Sequence, residues 1–408
     1  MDLHTVERVP NADGSETLAI QILLSLLGRS PVTFGRFVVP PANYSELSAQ
    51  LAALVQRHPR FASLETIGHS VEGKELLMVK IARRPGLPAV LLTNMMHPYE
   101  WAPTFGVLGY LRFLLDRLET GGFEADELLG QHQVWWVPCI CPDGYANRCQ
   151  QPSAINLIHN FPDGWSYAAA GHPRWGAYGQ GNSLQTISPI SWPGPAPASQ
   201  PETRALMALL NRPDGTVTTV VDFHENVSQR NFLHQVETLN GELRHLDYHA
   251  ELTEGIRQAF LGRFYEYREG TRTGDGSFDV VGHEETFAPG WESSWQIHAM
   301  ARGAKAVLVE AAGGDCTHYR TIRRTEHAAQ MVEQVLAAEL GRLIRNPWGE
   351  DRSVTVNPRR GLTSVLCRIF DRDGKLVEES IEPCTGNPLS RVVPAGGCLR
   401  LRYDIQPK

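Results

Sequence analysis

Residues 89–101 read Ala89-Val90-Leu91-Leu92-Thr93-Asn94-Met95-Met96-His97-Pro98-Tyr99-Glu100-Trp101. A Pro85-Gly86-Leu87-Pro88 break precedes them. A short apolar run bounded by turn residues predicts a buried strand, here Ala89 to Met96. It stops abruptly at an imidazole, a proline and, three residues on, a carboxylate. The pattern returns twice. Thr216 to Phe223, rich in β-branched residues, runs into His224, and Lys305 to Val309 runs into Glu310. In open α/β sheets, ligands bind outside the carboxyl ends of the strands. Three such ends side by side would gather two imidazoles and two carboxylates in one crevice.

Glu75 to Ala82 and Gln133 to Val137 read as further strands. Between and around them lie helical periods. Tyr44 to Arg57 places Leu47, Leu51, Leu54 and Val55 on one face, and residues 102–118 do the same with Phe105, Leu108, Leu111 and Leu115. Pro201 to Leu210 reads as a short helix and His327 to Ile344 as a long amphipathic one. Strands alternating with helices predict an α/β domain, a mixed and mostly parallel sheet flanked by helices, over residues 41–347. After Pro347-Trp348-Gly349 the helical period disappears, and residues 350–408 read as a small all-β domain. Residues 1–40 form an N-terminal extension. Its apolar run, Leu18 to Leu27, reads as a buried helix, too short and wrongly flanked for a membrane span or signal peptide. The expected compartment is therefore the cytoplasm.

Composition narrows the function classes. Among 408 residues, 38 basic and 45 acidic side chains leave a formal charge of −7. That gives no global field to hold nucleic acid or an anionic membrane, and neither partner is expected. Seven cysteines, sparse and irregularly spaced, do not describe a disulfide framework and read as free thiols.

His97 and Glu100, with Pro98 inside the turn, have a spacing that lets one ring nitrogen and one carboxylate face a common point. With His224 they make a His₂Glu set, a ligand class of catalytic zinc sites that keep a position open for water. Glu310 would then be a spare carboxylate suited to general-base work. The bland alternative is a solvated turn pair.

The sequence resembles the zinc carboxypeptidase family over roughly residues 40–345. Ile67-Gly68-His69-Ser70-Val71-Glu72-Gly73-Lys74 is similar to that family's G-x-S-x-E-G-R/K turn, and Asn94 to Trp101 to its H-x-x-E metal motif. Pro142-Asp143-Gly144-Tyr145 is similar to its N-P-D-G-Y stretch, and Ser199-Gln200-Pro201-Glu202-Thr203 to its S-E-P-E-T helix start. His224 stands where the third metal ligand falls, and Glu310 where the catalytic glutamate falls. The resemblance implies one Zn²⁺ per chain on His97, Glu100 and His224, with Glu310 as general base. It also implies Arg148 as the oxyanion-holding arginine, and a peptide or small amide as substrate. Asp222, two residues before His224, shares its strand face and reads either as a support for that imidazole or as a structural aspartate.

The departures are specific. Where the family has D-L-N-R-N-F, this chain has Asn156-Leu157-Ile158-His159-Asn160-Phe161. The Asn-Arg pair that grips a substrate's terminal carboxylate is replaced by Ile158 and His159, so an always-charged fork becomes an imidazole. Gly276 to Val281 lacks the family's later tyrosine. His159 and Asn160 are the expected substrate contacts, with Trp165, Trp175, Trp192, Trp291 and Trp295 in the long loops at 163–200 and 270–298 shaping the pocket or packing it. The expected activity is hydrolysis of a peptide or amide bond. The competing readings are a zinc amidase or deacylase on small acylated amino acids, and a non-catalytic zinc-binding module. A serine hydrolase reading of Gly68-His69-Ser70-Val71-Glu72 fails on the last residue and on the strand pattern that follows.

Overall fold

The computed structural model describes residues 4–10, 16–22, 36–38, 43–121, 123–145, 155–163, 165, 193–226, 232–236, 238–239, 242–245, 248–249, 251–252, 267–268, 271–272, 294–312, 328–329, 331–345, 349–356, 364–373, 375–384 and 387–403. The chain opens with β1 (His4–Pro10), β2 (Glu16–Ile22) and β3 (Arg36–Val38), a small antiparallel sheet. The helix expected over Leu18 to Leu27 is thus a strand as far as Ile22. Thr17, Ile20 and Ile22 are β-branched, and the ladder to β1, with Val6 opposite Ile20, satisfies a backbone that a short isolated helix would leave marginal. Residues 23–27 lie outside the described residues.

The main body follows as α1 (Tyr44–Arg57), β4 (Ala62–His69), β5 (Glu75–Ile81), β6 (Ala89–Asn94), α2 (Ala102–Glu119), α3 (Phe123–Gln131), β7 (Gln133–Val137), the short α4 (Pro142–Tyr145) and α5 (Pro201–Leu209). Next come β8 (Val217–Asn226), β9 (Phe232–Val236) and two short hairpins, β10 (Thr238–Leu239) with β11 (Glu242–Leu243) and β12 (Tyr267–Arg268) with β13 (Thr271–Arg272). Then come α6 (Ser294–Met300) and β14 (Lys305–Ala312). The central sheet has the order β4-β5-β7-β6-β8-β14-β9. The pairs β7–β6, β6–β8 and β8–β14 are parallel, while β4–β5, β5–β7 and β14–β9 are antiparallel. Five of the seven strands therefore point one way, which is the mixed, mostly parallel sheet the sequence predicts.

Both faces are covered, which is why the strands read as continuous apolar runs. Val90, Leu92, Trp136, Val221 and Val309 face a layer containing α1, α2, α3 and a helical stretch over residues 331–338. Leu91, Trp135, Val220 and Leu308 face the other layer, with Leu206 of α5 and Trp295 of α6. From β6 the chain goes out through α2 and α3 to β7 on one side, then returns through α5 to β8 on the other. Strand order thus reverses between β6 and β8, and the crevice beyond their carboxyl ends is where such a fold binds ligands.

The last helix stops short of expectation. Residues 331–338 are helical, but β15 (Arg342–Arg345) follows and pairs with the C-terminal sheet. Gly341, at φ 117°, makes the turn, and a Cβ there would sit 1.9 Å from the Leu401 carbonyl oxygen, so only glycine fits. The rest of that unit is β16 (Arg352–Val356), β17 (Ser364–Phe370), β18 (Leu376–Pro383), β19 (Leu389–Val393) and β20 (Cys398–Tyr403). Four strands in the order β15-β20-β17-β18 and a β16–β19 pair enclose Val365, Cys367, Ile369, Val393, Leu399 and Leu401. This is the separate all-β domain expected from the loss of helical period. No helix among the described residues is long and apolar enough to cross a membrane, and the cysteines described there are free.

Candidate metal centre

The crevice at the β6–β8 switch is built by the three strand ends. Beyond β6 the chain passes through Met95, which has φ 54°, a left-handed conformation that costs a non-glycine residue about 1–2 kcal/mol. Such strain is retained where the fold over-determines it, and it leads directly into His97. The Glu100 N–H donates to the His97 carbonyl at 3.0 Å, closing the turn that presents both side chains. His224 stands near the end of β8, in register with Glu310 on β14.

Three groups converge. His97 Nδ1 lies 2.9 Å from Glu100 Oε1, and His224 Nδ1 lies 2.8 Å from Glu100 Oε2 and 3.2 Å from His97 Nδ1. Donor atoms of His97, Glu100 and His224 all fall within 4.8 Å of one another. The far nitrogens are held elsewhere. His224 Nε2 is 2.8 Å from Asp222 Oδ2, and His97 Nε2 is 3.3 Å from Asn156 Oδ1. With each Nε2 carrying the proton toward its oxygen, both Nδ1 lone pairs and one carboxylate face a common point. Tetrahedral zinc with bonds near 2.0–2.1 Å sets donors about 3.3 Å apart, so the spacing and the donor chemistry both fit Zn²⁺.

The electrostatics agree. Burial works to raise the Glu100 carboxyl, but the imidazoles of His97 and His224 outweigh it and bring it down to about 2. Burial works against charge on His224, yet Asp222 and Glu100 hold its pKa well above the usual imidazole value. Two carboxylates around one imidazole demand positive charge between them, which a proton or a metal ion supplies. Glu310 is half-buried beside this cluster. Its carboxyl is raised to about 8, first by burial and then by Glu100 and Asp222, against the pull of His224. His159 is buried and pushed the other way, to about 3, by burial and then by His97 and His224.

Other expected residues divide sharply. Asn160, expected to meet substrate, anchors a loop instead. Its amide nitrogen donates to Pro193 O at 2.6 Å, Ser199 Oγ at 2.8 Å and Ala196 O at 3.1 Å, and its oxygen accepts the Gln200 N–H at 3.1 Å. The physical reason is burial: a fully enclosed amide must satisfy both its ends within the protein, and the 193–200 segment does so. Trp295 is buried on α6 with its ring 4.8 Å from that of Phe161, a packing role, and Trp165 donates to Pro193 O at 3.2 Å. Arg148, Trp175, Trp192, Trp291 and residues 276–281 lie outside the described residues. Ser70 is no nucleophile elbow. Its hydroxyl donates to Asp143 Oδ1 at 2.7 Å and accepts the Lys74 N–H at 3.0 Å, in a turn between two strands. The same turn gives its Glu72 N–H to Asp143 and its Val71 N–H to Glu202. The three motifs around residues 68–74, 142–145 and 199–203 are thus one structural knot.

Three contributors were not foreseen. Thr93 Oγ1 donates to Asp222 Oδ1 at 2.7 Å, and Gln296 Nε2 lies 3.4 Å from Asp222 Oδ2. On the other face of β8, Glu225 Oε2 accepts the Ala102 N–H at the start of α2, at 3.2 Å. Only Thr93 had a signal in the sequence, because strand alternation puts it on the face of Leu91, where Asp222 and His224 also lie.

Comparison with known proteins agrees with the geometry. Carboxypeptidase B of Astacus astacus is 24% identical over 196 residues, 45% of this chain and 60% of that protein. A zinc carboxypeptidase of Simulium vittatum is 24% identical over 191 residues, 44% of this chain and 59% of that protein. The alignments thus cover about three-fifths of each relative's length. The crystal structure of carboxypeptidase A from Helicoverpa armigera shares the fold, with a TM-score of 0.53 at 16% identity over 78% of each chain. That of thrombin activatable fibrinolysis inhibitor gives 0.51 at 18% identity over 73% of this chain and 72% of that one. The sequence model described as zinc carboxypeptidase matches residues 47–299, ending short of Glu310 but taking in all three converging ligands. Since that stretch is more than half of the 408 residues, this chain belongs to the zinc carboxypeptidase family.

Proposed function

We propose that the protein is a zinc-dependent hydrolase of peptide or amide bonds whose preferred substrates carry no free carboxylate beside the scissile bond. The observation that carries the hydrolase reading is the convergence of His97, Glu100 and His224 at the carboxyl ends of adjoining strands, with Glu310 in register beside His224. Zinc, when bound, polarises the scissile carbonyl and makes a water more acidic. Glu310 serves as the proton carrier. As a carboxylate it accepts a proton from the attacking water and, once protonated, returns it to the departing amine. Burial beside Glu100 and Asp222, which raises its proton affinity, favours holding that proton between the two steps. Asn156 and Asp222 hold the two imidazoles so that their Nδ1 atoms keep facing inward.

The preference rests on residues 157–160. Asn156 touches His97, so the 3₁₀ turn Leu157–His159 that follows stands close to the ligand cluster. Ile158 is apolar, His159 is neutral at any physiological pH, and Asn160 is engaged by the 193–200 loop. A carboxylate brought against this wall loses water without gaining a cation.

The test is mass-spectrometric hydrolysis of matched peptides with free and amidated C-termini, by zinc-loaded wild type and Glu310→Gln. Cleavage of the amidated series, with turnover falling about 10²–10⁴-fold in the variant, supports the reading. Exclusive loss of the last residue from free-ended peptides overturns the substrate preference. Unchanged turnover in the variant overturns the role of Glu310.

A further inference from the structure

Asp222 is fully buried in the middle of the sheet, and its oxygens take Thr93 Oγ1 at 2.7 Å, His224 Nε2 at 2.8 Å and Gln296 Nε2 at 3.4 Å. Two of these are neutral donors. Burying a carboxylate is costly unless positive charge answers it, and His224 is the one route among these contacts to such a charge. The support behind His97 differs in kind. Asn156 Oδ1 is neutral, lies 3.3 Å from His97 Nε2, and also accepts the Ile158 N–H at 3.2 Å. One imidazole is backed by a short, charged contact and the other by a longer, neutral one.

We propose that Asp222, held in place by Thr93 and Gln296, is a positioning residue that fixes His224 with Nε2–H outward and Nδ1 toward the metal, so that the charged support of the centre stands behind His224 and not behind His97. The sheet explains how. Thr93 is the register partner of Asp222 across the β6–β8 ladder, so its hydroxyl meets the carboxylate sideways. Gln296 arrives from α6, which packs over the same face. The carboxylate is thus clamped at Oδ1 by an adjacent strand and at Oδ2 by the covering helix, and Oδ2 is also the oxygen that meets His224. A carboxylate behind a ligating histidine raises its basicity and fixes its ring, and loss of such a support costs about 10–100-fold in metal affinity.

The proposal rests on the metal-site reading and is tested apart from turnover. Zinc dissociation constants come from competition with a chromophoric chelator, and the His224 Nε2–H is observed by NMR of the histidine-labelled, zinc-loaded protein. Asp222→Asn keeps an acceptor but removes the charge, and is expected to weaken zinc by about tenfold or more and shift the His224 signal. Asn156→Asp in the wild-type background is expected to tighten zinc. The Asp222→Asn/Asn156→Asp double variant is expected to recover much of the loss, which a merely structural role of Asp222 would not allow. Thr93→Val, which loosens the clamp without touching the ligand set, is expected to weaken zinc severalfold and serves if Asp222→Asn does not fold. Wild-type affinity within twofold in Asp222→Asn, or in Thr93→Val where that variant stands in, overturns the proposal. Failure of the wild type itself to bind zinc overturns the metal-site reading instead.

Discussion

His159 shows how one side chain can be turned by its surroundings. Burial, helped by His97 and His224, lowers its pKa to about 3, while the unfolded chain keeps the ordinary value near 6.5. Between those values the unfolded state binds the extra proton, so stability falls as pH falls from about 6.5 toward 3. The slope contributed approaches about 1.4 kcal/mol per pH unit for one proton. His159→Gln should remove that share. Denaturant melts from pH 4 to 7 should give a shallower acid decline in the variant, and parallel curves would refute the assignment. His159→Arg asks the complementary question about substrate. A guanidinium there should shift hydrolysis toward peptides with free C-termini, read as a changed ratio of kcat/KM for free and amidated ends. An unchanged ratio removes His159 from specificity. His97 and Glu100 were legible as a pair because their spacing is local. Alternation puts Thr93 on the face of Leu91, but its pairing with Asp222 was not legible, since those partners lie 129 residues apart in sequence.

At the scale of elements, α2 begins without a capping side chain of its own, and its first turn holds no acidic residue. Glu225 from β8 supplies the missing carboxylate to the Ala102 N–H. It therefore ties the helix that follows Glu100 to the strand that carries His224. Glu225→Ala should cost about 1 kcal/mol, with Glu225→Gln closer to wild type in hydrogen bonding but lacking the charge that favours a helix N-terminus. Thermal melts of the two variants check the order, and a wild-type melting temperature in Glu225→Ala would exclude the cap. The turn around Ser70 makes a contrasting prediction. Ser70→Ala should lower stability by about 1–3 kcal/mol, because Asp143 loses a buried donor, while turnover per folded molecule stays near wild type. A collapse of turnover with unchanged stability would revive the nucleophile reading. In the main domain α1, α2, α5, β5, β6, β7, β8 and β14 were readable from their periods, whereas β4, α3, β9 and α6 were not. The end of the last helix was not, because Leu343 and Ile344 continue an apolar pattern while Gly341 and the β20 edge redirect the chain.

Across the whole molecule, the C-terminal sheet is bound to the main domain by charge as well as by packing. Glu127 on α3 accepts from Arg368 of β17 and, at 2.8 Å, from Arg400 of β20. Arg117 of α2 donates to the carbonyls of Arg372 and Asp373, at 2.6 Å to the first. The Glu127 carboxylate and the Arg400 guanidinium are both nearly enclosed. Glu127→Ala would take this carboxylate from the enclosed Arg400 while Arg368 keeps Glu379, a change worth up to about 3–5 kcal/mol in buried settings. It should lower the melting temperature and make the C-terminal sheet the first site of limited proteolysis. An unchanged cleavage pattern would show that packing alone holds the two units together.

By itself, the sequence determined the α/β class, the all-β tail, the three strand ends and the H-x-x-E turn that begins the metal site. Each of these is written in local spacing: an apolar run with a polar stop, a period of 3.6 or 2, two ligands in one turn. The tertiary structure decided which strand ends stand together, since strand order is set by how helices cover both faces and not by any single stretch. It also decided that Asp222 backs His224, that Asn160 belongs to a loop, and that His159 is neutral. Those outcomes depend on burial and on partners brought in from distant parts of the chain, and a side chain's proton or hydrogen bonds follow the surroundings that folding gives it.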